Sequence, residues 1–216
     1  QGNTTGTRNA AFGAYTLDAV TTANDNTAFG YAALTSNTTG AENTAVGSGA
    51  MDQNTTGTDN TAVGWRALYT NNANYNTAVG NYALYANTTG YENVAIGYNA
   101  LDANTTGFVN TAIGAGALTS NTTAGRNTAV GKEALRDNTT GGRNTAIGHD
   151  ALISNTTADN NTAVGQNSLG ANTTGTQNTA IGSQALDANT TAHNNNAFGY
   201  QALSANNTGA SNCAFG

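Results

Sequence analysis

Few residues in this chain are of types that carry out chemistry, and they lie apart. The two histidines, His149 and His193, follow a Gly and precede an Asn respectively, so they occupy different places in the repeat described below. We therefore expect two solvated side chains rather than a catalytic or metal-binding pair. The single cysteine, Cys213, permits no disulfide framework and replaces a Thr, which we interpret as a semi-buried packing variant. No serine or aspartate has a partnered base, so the sequence predicts no enzyme, metal site or cofactor.

A second chemical pattern is Asn-Thr-Thr, which forms N-glycosylation sequons. The same string is also turn chemistry, since Asn bonds to nearby backbone and the Gly that usually follows supplies the positive φ of a corner. Because the string recurs at a constant place in the repeat, we favour the turn over a glycan array. The candidate glycan acceptors are Asn37, Asn54, Asn87, Asn104, Asn121, Asn138, Asn155, Asn172 and Asn189.

These residues belong to a repeat that opens with Asn-Thr-Ala-Val-Gly. Its Asn recurs thirteen times, every 17 residues except for the 16 that separate Asn60 from Asn76. The third position is always Ala, the fourth is always large and apolar, the fifth is always Gly, and a Leu or Met follows four residues later. Such a period is typical of a solenoid, in which like residues stack into ladders. The ladder residues that we single out are Asn43, Ala45, Val46, Gly47, Leu68, Asn93, Ala95, Ile96, Gly97, Leu101, Asn110, Ala112, Ile113 and Gly114.

The spacing predicts strands rather than helices, because no apolar pattern of period 3.6 persists over ten residues. Short apolar segments bounded by Asn and Gly are typical of strands, and the absence of Pro leaves every backbone N–H free to join a ladder. We predict an all-β fold, a parallel β-solenoid or β-roll of about 12 coils that forms one continuous array over residues 1–216. The 16-residue interval replaces Asn-Thr-Thr-Gly with Asn71-Asn72-Ala73, so we expect that a corner lost the residue.

Strand alternation places Thr44 and Val46 on one face and Ala45 on the other. The invariant Ala predicts a close approach, either by the opposite wall of the coil or by a neighbouring chain, and both remain open. We expect a bulky residue at Ala112 to disrupt folding or assembly. The slots that vary between copies are predicted to face solvent, and the constant slots to form the interior and the contacts. Since the chain has few large apolar residues, these features favour an oligomer.

Charge and composition exclude several classes of function. A net charge of −6 argues against nucleic-acid binding, which needs a basic stripe. No apolar run approaches the length of a membrane span, so we expect no membrane insertion in this segment. Regular Thr ladders suggest ice binding as an alternative function, although Thr27 and its equivalents supply only one strand Thr per coil. The contact candidates on the variable slots are Tyr31, Tyr69, Tyr82, Tyr85, Tyr91 and Tyr98.

The run Asn93-Val94-Ala95-Ile96-Gly97 resembles the Ala-Ile-Gly signature of trimeric autotransporter adhesin heads. The longer unit resembles repeat regions of bacterial surface and phage tail-fibre proteins. This resemblance implies a left-handed roll, a homotrimer and an extracellular, cell-surface or virion location. The 17-residue period and the Thr in most copies depart from the adhesin pattern.

We therefore expect part of an extracellular fibre, a rigid shaft for attachment to a host surface, matrix or glycan. The starting point within a repeat suggests a window of a longer chain. The rival interpretation is a filament subunit that stacks head to tail through exposed strand edges.

Overall fold

The computed structural model describes residues 3–216 and confirms the parallel β-solenoid. Each coil contributes one three-residue strand, shorter than the five-residue motif because Asn and Gly lie at its ends. The strands are β1 Ala10–Phe12, β2 Thr27–Phe29, β3 Thr44–Val46, β4 Thr61–Val63, β5 Thr77–Val79, β6 Val94–Ile96, β7 Thr111–Ile113, β8 Thr128–Val130, β9 Thr145–Ile147, β10 Thr162–Val164, β11 Thr179–Ile181, β12 Asn196–Phe198 and β13 Cys213–Phe215.

All thirteen strands form one parallel sheet in sequence order. Pairing is residue for residue, as in Ala45 opposite Ala62 and Val46 opposite Val63. The 16-residue coil keeps this register, because Thr61 pairs with Thr77 across it. The missing residue therefore comes from a corner, and every strand slot forms an uninterrupted column.

The corners depend on left-handed backbone at residues other than Gly. In one coil these are Asp59, Arg66 and Leu68, with φ of 56°, 52° and 51°. A left-handed conformation costs an L-residue about 1–2 kcal/mol. It is held here because each of these N–H groups donates to an adjacent coil, at 3.1 Å to Ala41 O, 3.0 Å to Ser48 O and 2.9 Å to Ala83 O.

The expectation that the Gly of Asn-Thr-Thr-Gly supplies the positive φ is wrong. Gly40 does not adopt a left-handed φ, and other copies carry Ala there, including Ala124 and Ala158. The obligatory glycine is instead the fifth residue of the motif. Gly47 has φ of 135°, and a Cβ there would collide with the carbonyl oxygen of Gly64. This explains why that slot is always Gly.

The core is narrow and rich in alanine. Three apolar columns fill it, represented in one coil by Ala45, Ala50 and Met51, all fully buried. Ala112 is likewise 0% exposed within the single chain, so the close approach predicted at this slot is made by the chain's own coil. A leucine at position 112 would have to displace other core side chains, which predicts disruption of folding.

Candidate interaction surfaces

The outward side of the sheet is a regular surface, which we call the Thr–Val/Ile face. It consists of the first and third residue of every strand, such as Thr44 and Val46. Its large apolar side chains are not interior, contrary to the expectation that constant slots line the inside. Ile96, Ile113 and Ile147 remain 37–40% exposed, and the corresponding Phe12 is 68% exposed. A three-residue strand has one inward position, and Ala occupies it in every coil.

The Thr–Val/Ile face carries no charge and few irregularities. Its apolar column is continuous from Phe12 to Phe215, and the end pairs Phe12–Phe29 and Phe198–Phe215 stack at 4.8 and 5.0 Å between ring centroids. The Thr column is interrupted by Val94 and Asn196. A contiguous apolar strip on an otherwise polar surface is typical of a site of protein contact.

The Asn-Thr-Thr string builds the interior of a corner. Asn54 is fully buried, and its Nδ2 donates to Asn37 Oδ1 at 3.0 Å and to Gly57 O at 3.2 Å. A glycan on that nitrogen would replace an N–H donor and fill occupied space. The following candidate glycan acceptors are all buried in the folded chain, which favours the turn interpretation: Asn37, Asn54, Asn87, Asn104, Asn121, Asn138, Asn155, Asn172 and Asn189.

A second ladder runs through the Asn that opens each motif. Asn43 Oδ1 accepts from the backbone N–H of Asn60 at 3.1 Å, while Asn43 Nδ2 donates to Gly57 O at 2.8 Å. The two Asn ladders satisfy buried backbone groups that short strands leave unpaired. Both serve the fold, so neither presents a reactive group to a ligand.

The predicted tyrosine contacts are exposed to different degrees, and most of them pack against another aromatic ring. Tyr31, Tyr91 and Tyr98 are 43–59% exposed, although the Tyr31 ring meets that of Tyr15 edge-on and the Tyr91 ring stacks on Phe108. Tyr69 and Tyr85 stack at 5.3 Å between ring centroids.

Tyr82 packs against Trp65, with 4.6 Å between ring centroids, and against Tyr85 at 5.3 Å. The sequence prediction omitted Trp65 and its neighbour Arg66 as contact residues. The sequence does contain a signal for Trp65, because the 17-residue spacing places it in the same column as Tyr31.

The isolated chemical residues stay isolated. His149 Nδ1 lies 3.1 Å from a carboxylate oxygen of Asp150, whereas His193 Nδ1 accepts from the backbone N–H of Thr176 at 2.9 Å. Cys213 is exposed rather than semi-buried, because it lies in the outward Thr column of the terminal strand β13.

Within residues 3–216, no group of three or more His, Cys, Asp or Glu residues is placed to hold a metal ion. The described part of the chain also contains no helix of the length and apolarity needed to cross a bilayer. Comparison of the chain with models of protein families, with curated proteins and with solved structures finds no match.

Proposed function

We propose that this chain is a rigid shaft segment of an extracellular fibre, in which copies associate through the Thr–Val/Ile face into a homotrimer. The observation that supports this most is the outward column of Val, Ile and Phe, which runs the whole length of the sheet without a charged residue. Burial of such a strip stabilises association by about 25 cal/mol for each Å² of apolar surface removed from water.

The dimensions suit a shaft. Thirteen strands define twelve spacings of about 4.8 Å, so the sheet is about 58 Å long. In-register pairing keeps the apolar column continuous along that length, so the same side-chain types recur in every coil. Three copies arranged about an axis parallel to the column would cover all three strips at once and close the assembly.

The remaining faces of such a trimer would carry the variable slots outward, including Tyr31 and Tyr98. A rod that repeats its surface along its length suits multivalent attachment to a host surface, matrix or glycan, since linked weak contacts add to a high avidity. The function would then be mechanical and adhesive.

Substitution of two column residues tests the assembly. We expect the wild-type chain to sediment as a trimer and Ile96→Glu/Ile113→Glu to sediment as a folded monomer, because carboxylates would be buried in the contact. The matched control is Gln166→Glu/Ser183→Glu, which adds the same charge in a slot that tolerates Lys132 and His149. A monomeric wild type, or a double-Ile variant that remains trimeric, would contradict the proposal. Electron microscopy distinguishes discrete trimeric projections from the indefinite filaments of head-to-tail stacking.

Ice binding is the second candidate, because the same face also presents an outward Thr in most coils, among them Thr111 and Thr128. A flat, in-register column of hydroxyls and methyls could order water only if the face is uncovered. Thermal hysteresis with ice shaping by a monomeric wild type, lost in Thr111→Lys/Thr128→Lys, would favour this candidate over the trimer. Absence of ice shaping would eliminate it.

A further inference from the structure

The residue that follows the Gly of each motif forms a column of side chains, and a small residue leaves a gap in this column. Tyr31 and Trp65 occupy this slot two coils apart, and Ser48 occupies the coil between them. Beside Ser48 lies Gly49, with φ of 67°, in the slot that Arg66 fills one coil later. These small residues form the floor of a groove of about 110 Å³ whose lining includes Tyr31 and Trp65.

The coil spacing leaves room for one ring between the coils of Tyr31 and Trp65. Aromatic residues of adjacent coils in this chain stack at 4.8 Å for Phe12–Phe29 and 5.4 Å for Tyr91–Phe108. The backbones at Tyr31 and Trp65 are two coil spacings apart, about 9.6 Å. A flat ring above Ser48 would therefore lie about one coil spacing from each of these coils, within the range of about 4.5–7 Å over which rings stack.

The rim of the groove is polar. Asp52 and Arg66 both line it and are half-buried. The guanidinium of Arg66 is held in place by two rings, with its central carbon 5.1 Å from the ring centroid of Trp65 and 5.3 Å from that of Tyr69. Among the described residues neither Asp52 nor Arg66 forms a salt bridge, so a carboxylate acceptor and a guanidinium donor both face the groove.

We infer that this groove, which we call the Tyr31–Trp65 groove, binds a pyranose ring of a neutral glycan. The Tyr31 ring packs against one C–H face of the sugar. On the opposite wall the guanidinium of Arg66, which lies over the Trp65 ring, donates to the sugar hydroxyls, while Asp52 accepts from them. The chain's net charge of −6 and the carboxylate at the rim disfavour an anionic saccharide. The groove is open at its surface, so an internal residue of a longer glycan fits. The site requires no particular oligomeric state.

A second groove four coils along provides an internal comparison. Tyr98 forms one wall and Gly116, with φ of 69°, lies in the slot of Gly49. Lys132 occupies the place of Trp65, so this groove has one aromatic wall and a basic residue opposite. It should bind the same glycan at least tenfold more weakly.

The experiment uses the full chain and a panel of neutral hexasaccharides built from glucose, mannose, galactose or N-acetylglucosamine, with a hexuronic acid oligomer as the anionic comparison. Trp65 is the only tryptophan, so its fluorescence reports on this groove alone. We expect a saturable change in emission with at least one neutral member and weaker binding of the acidic oligomer. No saturable change with any neutral member, or preferred binding of the acidic one, overturns the inference.

Variants locate the site by calorimetry. Trp65→Ala and Gly49→Gln should each weaken binding at least tenfold. Both substitutions introduce a residue that another coil carries in the same slot, namely Ala115 and Gln184, and Gln184 has a φ of 58°. Tyr98→Ala should leave the affinity of the Tyr31–Trp65 groove, followed by Trp65 fluorescence, unchanged. Circular dichroism and sedimentation show that fold and assembly persist. Undiminished binding by folded Gly49→Gln, or equal loss in Tyr98→Ala, places the glycan elsewhere and refutes the groove.

Discussion

At the residue scale, Asn93 shows how one side chain connects its neighbours on both sides. Its Oδ1 accepts from the backbone N–H of Asn110 at 3.0 Å. Its Nδ2 donates to Asn76 Oδ1 at 3.2 Å and to Gly107 O at 2.9 Å. An amide carries both a donor and an acceptor, so a column of Asn can satisfy itself and the backbone at the same time.

Asn93→Ala should therefore destabilise the fold strongly. The substitution leaves the buried Asn110 N–H unpaired, at about 1–3 kcal/mol, whereas the Gly107 carbonyl keeps its second donor, Asn104 Nδ2, at 3.0 Å. Urea denaturation should show a lower free energy of unfolding than for Gln166→Ala, an exposed control. Equal stability of the two variants would show that the ladder does not hold the coils together.

Asp102 is a carboxylate that burial disfavours. Desolvation raises its pKa, and its Oδ1 lacks a hydrogen-bond partner among the described residues. Because the pKa of Asp102 is higher in the folded state than in the unfolded chain, the stability that this group contributes is fully present at a pH below the ordinary pKa of an Asp carboxyl. That contribution is lost as the pH rises through the raised value.

Asp102→Asn should be more stable than the wild type at pH 7, and the difference should shrink as the pH falls below the ordinary carboxyl range. Thermal unfolding from pH 3 to pH 8 measures this. Asp102→Thr introduces the residue that the next coil carries in this slot, Thr119. Because it also removes the carboxylate, it should likewise gain stability over the wild type at pH 7 and lose that advantage as the pH falls. A variant whose stability follows pH as the wild type does would contradict the assignment to Asp102.

At the scale of the element, the short coil shows how a corner tolerates deletion. In ordinary coils the backbone N–H and Oγ1 of Thr38 both donate to the carbonyl oxygen of Thr55, each at 3.0 Å. The residue in the equivalent position after Thr55 is Asn72, and both donors of Thr55 reach Asn72 Oδ1 at 2.7 Å rather than the backbone carbonyl. The Asn72 side chain thus takes the place of a backbone acceptor, and the strands keep their register.

Substitution at Asn72 tests this replacement. Asn72→Ala should lower the free energy of unfolding by about 0.5–1.5 kcal/mol, the net contribution of a typical hydrogen bond, because the site is exposed and water can partly compensate. Asn72→Asp keeps an acceptor oxygen and should lose less. If both variants unfold at the same urea concentration as the wild type, the side chain does not repair the coil.

At the scale of the whole molecule, stability is shared between neighbouring coils, because each coil contacts mainly the coils on either side. The proposed trimer contact has the same one-dimensional character, since one uncharged strip repeats along the rod. The Tyr31–Trp65 groove depends on two successive departures from the repeat, at Ser48 and Gly49. Assembly and glycan binding would therefore be separable properties of one rod.

Association through an uncharged apolar strip should depend little on simple salt. Salt screens charges, whereas sulfate strengthens apolar association. We expect the trimer dissociation constant to change less than about threefold between 0.1 and 1 M sodium chloride and to fall in ammonium sulfate, as measured by sedimentation. Ile96→Glu/Ile113→Glu should remain monomeric throughout. A steep weakening by sodium chloride would point to charged contacts and against the Thr–Val/Ile face.

The solenoid, its coil length and the corner that lost a residue could all be predicted from the sequence, because a fixed period and strand alternation are local properties of the chain. The invariant Ala at position 45 and its equivalents predicted a close approach, but did not indicate whether the same chain or a neighbouring chain makes it. The folded coil was needed to show that the chain itself packs over Ala45 and that Val46 and Ile96 face outward, since burial depends on where the rest of the coil passes. The same reason explains the buried Asn54 and the Tyr31–Trp65 groove, because both arise from residues brought together by stacking.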